Sequence, residues 1–557
     1  MSSCHVGVDI GTSSIRVTYD SQVHELPITT NKGGKFITQS SIAIYNSLLQ
    51  LLPATTHYDS IAISATCSTV ITKKVNDGSH LEPFNLDPIG DSDSTNSSTN
   101  SSTNSSTNSS TNSNTNVIPS DILLWMDNSA VQETQYLNRL NTPEISLARR
   151  QLGGKFVAEL GLPKLKMIQD LYGGEEGEDL VCFELYDWIS YLLKYGIKDG
   201  KVAYYPLQNM VETERCAIDG SIKGWSTTLL REAGIAIEIG GLGNFNGVNG
   251  VIGTPIGTAH SSNAVIGHGC IDCYAGWINS HMDATNSCFM VAGTSTCFIY
   301  QGRQREFHDG MWGPYQIAKT GQYLYEFGQP ATGKLYERLF DKHGIAKADY
   351  AATFKRLEEE TRARGNIHEQ LKGYFYYGDV YGNRTPYQDG NMSEMIVDNP
   401  NGPFGPIIST SAYSRSLLAE YNLIMEFLVF QTKQLIEPLQ IDTLTVSGSQ
   451  SKNTHFLHLL ADVCDVSVKV TNDDCCEGAA KIGHIAQLLH HNESLNYNDA
   501  FDKVTSENQT TKVVNPRGGA SGGVSDVSKT ELSLLLVKYE IYLDMADRQR
   551  RYRDMMR

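Results

Sequence analysis

Apolar residues follow two periods along the chain, one typical of helices and the other of strands. Helical spacing extends over Phe183–Tyr195, which ends at Gly196, and over Arg415–Glu437, which Pro438 stops. A third helical segment spans residues 530–557, and its apolar face consists of Leu532, Leu535, Leu536, Tyr539, Tyr542, Leu543 and Met545. Short β-branched runs alternate with these helices. The alternation predicts α/β domains.

Two polar stretches interrupt this alternation. Residues Asp91–Asn116 repeat Ser, Thr and Asn and contain no apolar side chain. Such a segment cannot bury surface to offset its ordering entropy, so we expect a disordered insertion within a domain. The second stretch, Asn492–Ser528, carries Pro516 and a Gly-Gly pair and is typical of a linker.

Two segments about half a chain apart resemble each other. Val6–Tyr19 reads VGVDIGTSSIRVTY, and Cys288–Tyr300 reads CFMVAGTSTCFIY. Each consists of an alternating strand, a Gly-Thr-Ser turn and a second strand. Glycine lets the backbone approach a ligand closely, and turn N–H groups with hydroxyls form an anion-binding concavity. We therefore expect the phosphates of a nucleotide to lie between two such turns, Gly11-Thr12-Ser13 and Gly293-Thr294-Ser295.

Residues at three further places in the chain are candidates for binding or catalysis. Asp9 precedes the first turn, where an acid fits a bridging Mg²⁺ or an ordinary strand-end turn. Gly448-Ser449 and Asn453 lie between a β-branched strand and an apolar helix, an arrangement that suits a nucleotide. Asp272 ends an apolar strand, where α/β sheets place their chemistry and where an Asp equally caps a following helix. It is our candidate base for an acceptor hydroxyl.

Composition and charge disfavour several classes of binding partner. The 557 residues include 45 basic and 62 acidic side chains, which gives a net charge of −17. This balance disfavours nucleic acid and anionic membranes. No run approaches the roughly 18 apolar residues of a membrane-spanning helix, and the N-terminus lacks the basic and apolar regions of a signal peptide. We therefore expect a cytoplasmic, multidomain protein with no membrane partner.

The cysteines do not indicate a disulfide framework, because there are eleven of them, spread thinly. Cys270 and Cys273 form a C-x-x-C, but the only other close pair is the adjacent Cys475 and Cys476. A redox role would need a thioredoxin-like unit, which the pattern does not indicate. We expect ordinary buried thiols.

Taken in order, these motifs resemble the FGGY carbohydrate kinases, and within them the D-ribulokinase branch. The matching segments of the N-terminal half are Asp9–Ser14, Ala65–Ser68, Leu124–Asp127, Gly153-Gly154 and Pro163–Leu165. Those of the C-terminal half are Asp272 with Ala275-Gly276, Ala292–Cys297, Trp312–Tyr315, Gly328–Gly333, Tyr381–Pro386, Ser451–Asn453 and Glu477–Ala480. The resemblance covers nearly the whole chain.

The resemblance implies an α/β fold of two actin-like (ribonuclease-H-like) domains, with MgATP and sugar in the cleft between them. Residues 1–258 would form the N-terminal domain on the sugar and phosphate side, and residues 259–490 the C-terminal domain on the nucleotide side. A linker at 491–528 and a C-terminal helix at 529–557, packed on the kinase fold, would complete the chain.

The resemblance also implies roles for individual residues. Asp272 would deprotonate the terminal hydroxyl of the sugar, and Asp9 would hold magnesium directly or through water. The two Gly-Thr-Ser turns would hold the phosphates of ATP, and residues Gly448–Asn453 the nucleotide. The residues that would line the sugar pocket are Thr66, Cys67, Asp127, Glu326 and Gln329.

Several motifs depart from the family pattern, mostly on the sugar side. Ser64 replaces the Asp of D-A-T-C-S, and Asn128 and Ser129 replace the His and Arg of W-M-D-H-R. A C-K-W stretch is shortened near Cys216 and lacks its lysine, and the Gly-Gly of the adenosine turn reads Gly448-Ser449. Because the phosphate and base motifs are intact, these departures bear on the identity of the sugar more than on the reaction type.

The leading hypothesis is a carbohydrate kinase that phosphorylates D-ribulose to D-ribulose 5-phosphate with ATP. Two alternatives share the fold: a kinase for another pentulose or polyol, and a catalytically lapsed sensor of nucleotide or sugar. A third is an actin- or chaperone-like ATPase with a partner-binding role. The expected ligands are ATP, Mg²⁺ and a small sugar, and a homodimer is compatible with the sequence.

Overall fold

The computed structural model describes most of the chain, with several gaps. It describes residues 3–52, 57–86, 118–173, 179–207, 222–242, 251–280, 286–319, 321–405, 407, 415–471, 474–506, 510–517 and 527–556. The predicted disordered insertion at Asp91–Asn116 and the stretch around Cys216 lie outside the described residues.

The described residues form strands and helices in alternation. The strands are β1 (His5–Ile10), β2 (Ser14–Tyr19), β3 (Gln22–Pro27), β4 (Thr38–Gln39), β5 (Ser60–Ala65), β6 (Thr69–Val75), β7 (His80–Pro83), β8 (Ile122–Leu123), β9 (Leu180–Glu184), β10 (Val202–Ala203), β11 (Glu238–Ile239), β12 (Pro255–Thr258), β13 (Val265–Ile271), β14 (Ser287–Ala292), β15 (Thr296–Gly302), β16 (Trp312–Tyr315), β17 (Tyr323–Gln329), β18 (Phe375–Tyr377), β19 (Met395–Val397), β20 (Thr443–Ser447), β21 (Ser467–Thr471) and β22 (Thr510–Val514). The helices are α1 (Ser41–Leu51), α2 (Val131–Arg139), α3 (Pro143–Gln151), α4 (Gly161–Tyr172), α5 (Leu185–Tyr195), α6 (Thr227–Glu232), α7 (Asp272–Asn279), α8 (Gly333–Lys342), α9 (Tyr350–Arg364), α10 (Ile367–Gln370), α11 (Arg415–Ile436), α12 (Thr454–Cys464), α13 (Cys475–His491), α14 (Tyr497–Thr505) and α15 (Val527–Met555).

Two main sheets have equivalent topologies. The first has the order β3-β2-β1-β5-β13-β12, and the second has the order β16-β17-β15-β14-β20-β21-β22. In each sheet a hairpin leads into a parallel trio: β1, β5 and β13 in the first, β14, β20 and β21 in the second. An antiparallel strand then closes the edge, β12 in one sheet and β22 in the other. The repeat seen in the sequence is therefore a duplicated domain, and the predicted α/β class is confirmed.

An accessory sheet belongs to the first half of the chain. Its main path is β10-β7-β6-β8-β4, with β9 joined to β6 and β11 to β9. Its strands supply the segments that lead into the loops near residues 66 and 125. The sheet thus adds a wall to the first domain on the side where the sugar motifs lie.

Helix α13 covers the first sheet although it follows the strands of the second. It packs on β1, β5 and β13, and glycines permit the close approach. A Cβ on Gly7 of β1 would lie 1.8 Å from the carbonyl oxygen of Cys476. A Cβ on Gly478 of α13 would lie 2.0 Å from the carbonyl oxygen of Ala275, so α13 also packs closely on α7. Ile482 and Ile485 of α13 are fully buried against this sheet.

The sheets correct two predicted boundaries. The division at 258/259 falls between β12 and β13, which pair with each other in the first sheet, so the change of sheet comes between α7 and β14. The predicted linker at 491–528 contains α14, which buries Phe501, and β22, which pairs with β21. The polar composition of that stretch concealed short elements that take their apolar contacts from other parts of the chain.

The predicted helices are present with small shifts. The helix predicted from Phe183 begins at Leu185, because Leu180–Glu184 forms β9, and it ends before Gly196 at φ 69°. The helix predicted at 529–557 is α15, which buries Leu535, Tyr539 and Tyr542 against the second domain, while Leu536 is 39% exposed. Arg553 near its end pairs with Asp389, which ties the end of the helix to the second domain. Among the helices described, none is long and apolar enough to cross a bilayer.

We expect Gly7→Ala to destabilise the protein by about 3 kcal/mol, the upper end of ordinary overpacking, because the new methyl group overlaps the Cys476 carbonyl. Chemical unfolding of the purified variant measures this. The matched control is Gly390→Ala, where a Cβ meets nothing within 4 Å and which should stay within about 0.5 kcal/mol of wild type. Equal stability of the two variants would show that α13 is not seated on β1.

Candidate active site

The carboxyl ends of three parallel strands meet at one edge of the first sheet. Asp9 is the fifth residue of β1, Thr66 directly follows β5, and Asp272 directly follows β13. The backbone N–H of Thr66 donates to the carbonyl of Ile10 at 3.0 Å, which ties two of these ends together. This is the edge at which open α/β sheets bind ligands.

A cavity of about 210 Å³ lies at this edge and is bordered by both domains. Its lining residues are Gly11, Thr12, Thr66, Cys67, Trp125, Glu159, Leu160, Ile271, Asp272, Cys273, Ser295, Cys297, Trp312, Glu326 and Arg384. One cavity is therefore lined by parts of the first Gly-Thr-Ser turn, by part of the second turn and by the candidate base Asp272. The lining residues span 373 positions of sequence, from Gly11 to Arg384, so only the fold brings them together.

The sequence left two interpretations of Asp272 open, a catalytic base and a cap of the following helix, and its position is compatible with both. It is the first residue of α7, and its Oδ1 accepts a hydrogen bond of 2.7 Å from the N–H of Cys273. The same carboxylate borders the cavity. The helix terminus thus holds the side chain in place, and a local positive dipole favours its ionised form, as a general base requires.

Each of the first two turns is closed by its own backbone. The N–H of Gly11 donates to the carbonyl of Ser14, and the N–H of Gly293 donates to that of Ser295, both at 2.9 Å. The carbonyl of Thr12 accepts from Gln39 Nε2 at 2.8 Å, which braces the first turn from outside. The N-terminus of α8 braces the second, since Gly333 N–H donates to the carbonyl of Gly293 at 2.9 Å.

The third turn lies directly beside the second. Gly448 has φ 82°, and a Cβ there would lie 2.6 Å from the carbonyl oxygen of Ala292. Ser449 Oγ donates to that same carbonyl at 3.3 Å. Asn453 is buried as the N-cap of α12 and donates to Tyr421 Oη at 2.9 Å, so its side chain positions the helix. These contacts bring Gly448-Ser449 next to the Gly293 turn.

The five predicted sugar residues divide into two groups. Thr66, Cys67 and Glu326 line the cavity, and their contact with a sugar stays a prediction. Asp127 does not: it is 2% exposed, and its carboxylate accepts backbone N–H bonds from Ile37 at 2.8 Å and Ser129 at 2.9 Å. Gln329 is fully buried and donates to the carbonyl of Leu428 at 2.9 Å. We therefore correct the roles of these two residues to turn and core organisation.

The cavity contains an ion pair that the sequence did not reveal. Arg384 donates to both carboxylate oxygens of Glu159, each at 2.8 Å, across 225 positions of sequence. The guanidinium also lies 5.8 Å from the ring of Trp312. Arg384 belongs to the motif Tyr381–Pro386, which was the available signal for it. Glu159 had none, because a single acid in a loop matches no pattern.

Trp125 connects the sugar side to the first turn. Its indole N–H donates to Thr12 Oγ1 at 3.1 Å. The fully buried Lys164 donates to the carbonyls of Leu124 and Trp125 at 2.7 and 2.8 Å, and burial lowers its pKa to about 8. Lys164 therefore fixes the backbone that presents Trp125 to the cavity.

Asp9 lies behind the first turn in a network of its own. Its Oδ2 accepts from Arg16 at 2.5 Å and its Oδ1 from Ser64 at 3.0 Å, and burial raises the pKa of the carboxyl. Ser64 is one of the departures from the family pattern, and here its hydroxyl serves Asp9. A second carboxylate, Asp474, approaches Arg16 at 3.7 Å. These hard oxygen donors suit Mg²⁺ chemically, and since both Asp9 oxygens already have partners, water-mediated binding fits them best.

The two departures in the segment after Asp127 lie away from the cavity. Asn128 is exposed and bonds to its own turn, and Ser129 bonds to Asp127, so neither lines the cavity. Lys223 follows the shortened stretch near Cys216 and forms a fully buried ion pair with Asp187. It also lies 2.8 Å from His268 Nε2 on β13. A lysine is therefore present close to the expected place, but it supports β13 from behind.

Comparison with solved structures identifies the fold. The xylulose kinase from Rhodospirillum rubrum superposes with a TM-score of 0.66 at 13% identity, over 98% of this chain and 100% of that one. Plasmodium falciparum glycerol kinase with ADP gives a TM-score of 0.63 at 12% identity, over 98% of both chains. The fold is thus that of sugar kinases with two actin-like domains, as the resemblance implied.

Sequence comparison gives the family. Residues 288–486 match the C-terminal domain of the FGGY family of carbohydrate kinases. The chain is 28% identical to Protein MPA43 of Saccharomyces cerevisiae, over 99% of this chain and 97% of that protein. It is 25% identical to a D-ribulokinase of the same yeast, over 84% of this chain and 69% of the relative. Residues 288–486 thus carry the C-terminal domain of FGGY carbohydrate kinases, phosphotransferases that act on sugar hydroxyl groups, and the similarity to these relatives extends over most of the chain.

We expect Arg384→Met to destabilise the protein by roughly 3 kcal/mol, because Glu159 is left without its bidentate partner in a largely buried place. The double variant Glu159→Met, Arg384→Met should recover part of this loss. Urea unfolding of both single variants and the double variant measures the coupling. Strict additivity would mean that the pair does not act as a unit.

We expect His268 to contribute to acid destabilisation. Burial lowers its pKa to about 4. Between pH 6.5 and 4, the histidine is therefore protonated in the unfolded chain but neutral in the folded chain. Stability therefore falls as the pH drops through this window, by up to about 3 kcal/mol from this group. His268→Gln should flatten the pH profile of unfolding, while the exposed control His57→Gln should keep the wild-type slope. A profile unchanged in His268→Gln would contradict this assignment.

Proposed function

We propose that the protein is an ATP-dependent ketopentose kinase whose preferred substrate is D-ribulose, with D-ribulose 5-phosphate and ADP as products. One observation carries the proposal: Asp272, Gly11-Thr12 and Ser295 border a single cavity. A base, two phosphate turns and a sugar-sized space are the parts that phosphoryl transfer to a hydroxyl requires.

The chemistry follows from the position of Asp272. Its carboxylate accepts the proton of the terminal hydroxyl, whose oxygen then bonds to the γ-phosphorus of ATP as the bond to ADP breaks. The N–H groups of Gly11 and Gly293 close their own turns, so we assign the other N–H groups and the hydroxyls of the two turns to the charge that develops on the transferred group. Magnesium, which Asp9 would hold, supplies further neutralisation of phosphate charge when bound.

The size and lining of the cavity support a small polar substrate. Its 210 Å³ is below the roughly 300–1,000 Å³ of pockets for drug-sized ligands. Trp125 and Trp312 offer apolar faces for the carbon skeleton, and Glu159, Glu326 and Arg384 offer hydrogen-bonding groups for its hydroxyls. D-Ribulose is placed first because one relative is named a D-ribulokinase and the motifs resemble that branch.

The sensor hypothesis loses its motivation in this arrangement. It depended on the missing His, Arg and Lys of the family motifs. Asn128 and Ser129, which stand in the places of the His and Arg, do not line the cavity, and Lys223 lies near the expected place of the lysine but pairs with Asp187. The residues to which we assign the base and the phosphate turns are present. Cytoplasmic location and a homodimer stay predictions from the sequence.

We expect Asp272→Asn to lower kcat for D-ribulose by about 10²- to 10⁴-fold, because the amide cannot accept the hydroxyl proton. Its dissociation constant for ATP should stay close to the wild-type value. Coupled detection of ADP measures the rate, and calorimetry measures nucleotide binding. The matched control is Asp547→Asn, on an exposed part of α15.

The same assay with L-ribulose, D-xylulose, ribitol and glycerol tests the choice of sugar. The proposal requires the highest kcat/KM for D-ribulose. A wild-type rate in Asp272→Asn would overturn the mechanism, whereas a higher kcat/KM for another acceptor would overturn only the substrate.

A further inference from the structure

Two thiols and a carboxylate meet in the wall of the cavity. Cys273 is the second residue of α7, Cys297 lies on β15, and Glu326 lies on β17. Their ligand atoms all lie within 4.8 Å of one another, and all three residues line the cavity. The first residue belongs to the first domain and the other two to the second, so the cluster bridges the domains.

The cluster is held in place by hydrogen bonds. The sulfurs of Cys273 and Cys297 lie within 4.8 Å of each other, and Cys297 Sγ donates to Glu326 Oε1 at 3.5 Å. Tyr274 Oη donates to Glu326 Oε2 at 3.0 Å, which orients the carboxylate and leaves Oε1 toward the thiols. An outer hydrogen bond of this kind is what fixes ligand geometry in metal sites.

The charge around the cluster favours a cation. The charged residues that line the cavity are Glu159, Asp272, Glu326 and Arg384, which together carry a net charge of −2. The only cation among them, Arg384, already makes two hydrogen bonds to Glu159. The negative lining therefore attracts a cation.

We propose that Cys273, Cys297 and Glu326 form a binding site for a thiophilic divalent cation of the Zn²⁺ class. Two sulfurs and one oxygen supply three ligands of a tetrahedral set, and the fourth position faces the cavity. Binding converts both thiols to thiolates and releases two protons to solvent. The C-x-x-C partner Cys270 is not part of the cluster, so the site is built across the fold and not along the chain.

The position of the bound ion affects catalysis, and this part of the inference rests on the proposed function. An ion at this place occupies the cavity beside Asp272, so it competes with the sugar. It does not replace Mg²⁺, because Mg²⁺ prefers oxygen ligands and Asp9 is not in this cluster. The site therefore makes the kinase sensitive to Zn²⁺ through the sugar pocket.

The test uses Cd²⁺ as a probe on metal-free full-length protein, because Cd²⁺–thiolate bonds absorb in the ultraviolet. We expect one saturable band that Zn²⁺ abolishes on displacement of Cd²⁺. Cys273→Ser and Cys297→Ser should each weaken Cd²⁺ binding by at least about tenfold, and Glu326→Gln should weaken it while both thiolates remain. Cys67→Ser, in the same cavity but outside the cluster, is the matched control and should keep the band.

Circular dichroism of each variant separates loss of the site from loss of the fold. An unchanged band in folded Cys273→Ser and Cys297→Ser, or no band in wild type, would overturn the site. Saturating D-ribulose should raise the apparent dissociation constant of Cd²⁺. If the band depends on both cysteines but D-ribulose gives no protection, the metal site stands and the proposed sugar falls, so the two proposals fail separately.

Discussion

The seating of α13 on the first sheet is the contact on which the rest of the structure depends. Glycines on the sheet let the backbones approach closely, at Gly7 against Cys476 and at Gly267 against Ile482, and Gly478 of α13 meets Ala275 of α7 in the same way. Through these contacts a helix from the end of the second half of the chain packs on β1, β5, β13 and α7. The carboxyl ends of these strands carry Asp9, Thr66 and Asp272. Tight packing of one helix therefore sets the positions of groups that lie far from it in sequence.

Under the proposed function, a protein with a net charge of −17 would bind a polyanion, and local geometry would make this possible. The arginines near the site are paired, Arg16 with Asp9 and Arg384 with Glu159, and the turns rely on backbone N–H groups and hydroxyls. Such groups are positioned before the ligand arrives and need no reorganisation during the reaction. The overall charge then limits unwanted partners, while the concave turns select the phosphate.

The wall of the cavity contains both hard oxygen groups and soft sulfur groups. Asp272 and the turns serve an oxygen substrate, whereas Cys273 and Cys297 are soft donors brought together from the two domains. Position 273 directly follows the candidate base, so the same helix terminus that orients Asp272 also orients a thiol. A sugar kinase built in this way has a binding site for a regulatory or toxic metal ion inside the cavity that its substrate must enter.

The sequence alone determined the class of the fold, the duplicated turns and the strand-end position of Asp272, because periodicity and glycine placement are local properties. It also placed α15 through its apolar face. It could not show that residues 491–528 hold α14 and β22, since those elements gain stability only from distant partners. Nor could it separate Glu326, which lines the cavity, from Asp127 and Gln329, which serve the backbone and the core. The Glu159–Arg384 pair and the Cys273–Cys297–Glu326 cluster join residues from different strands and loops. Such contacts arise only when the whole chain is packed, because proximity in space is set by topology and not by spacing along the sequence.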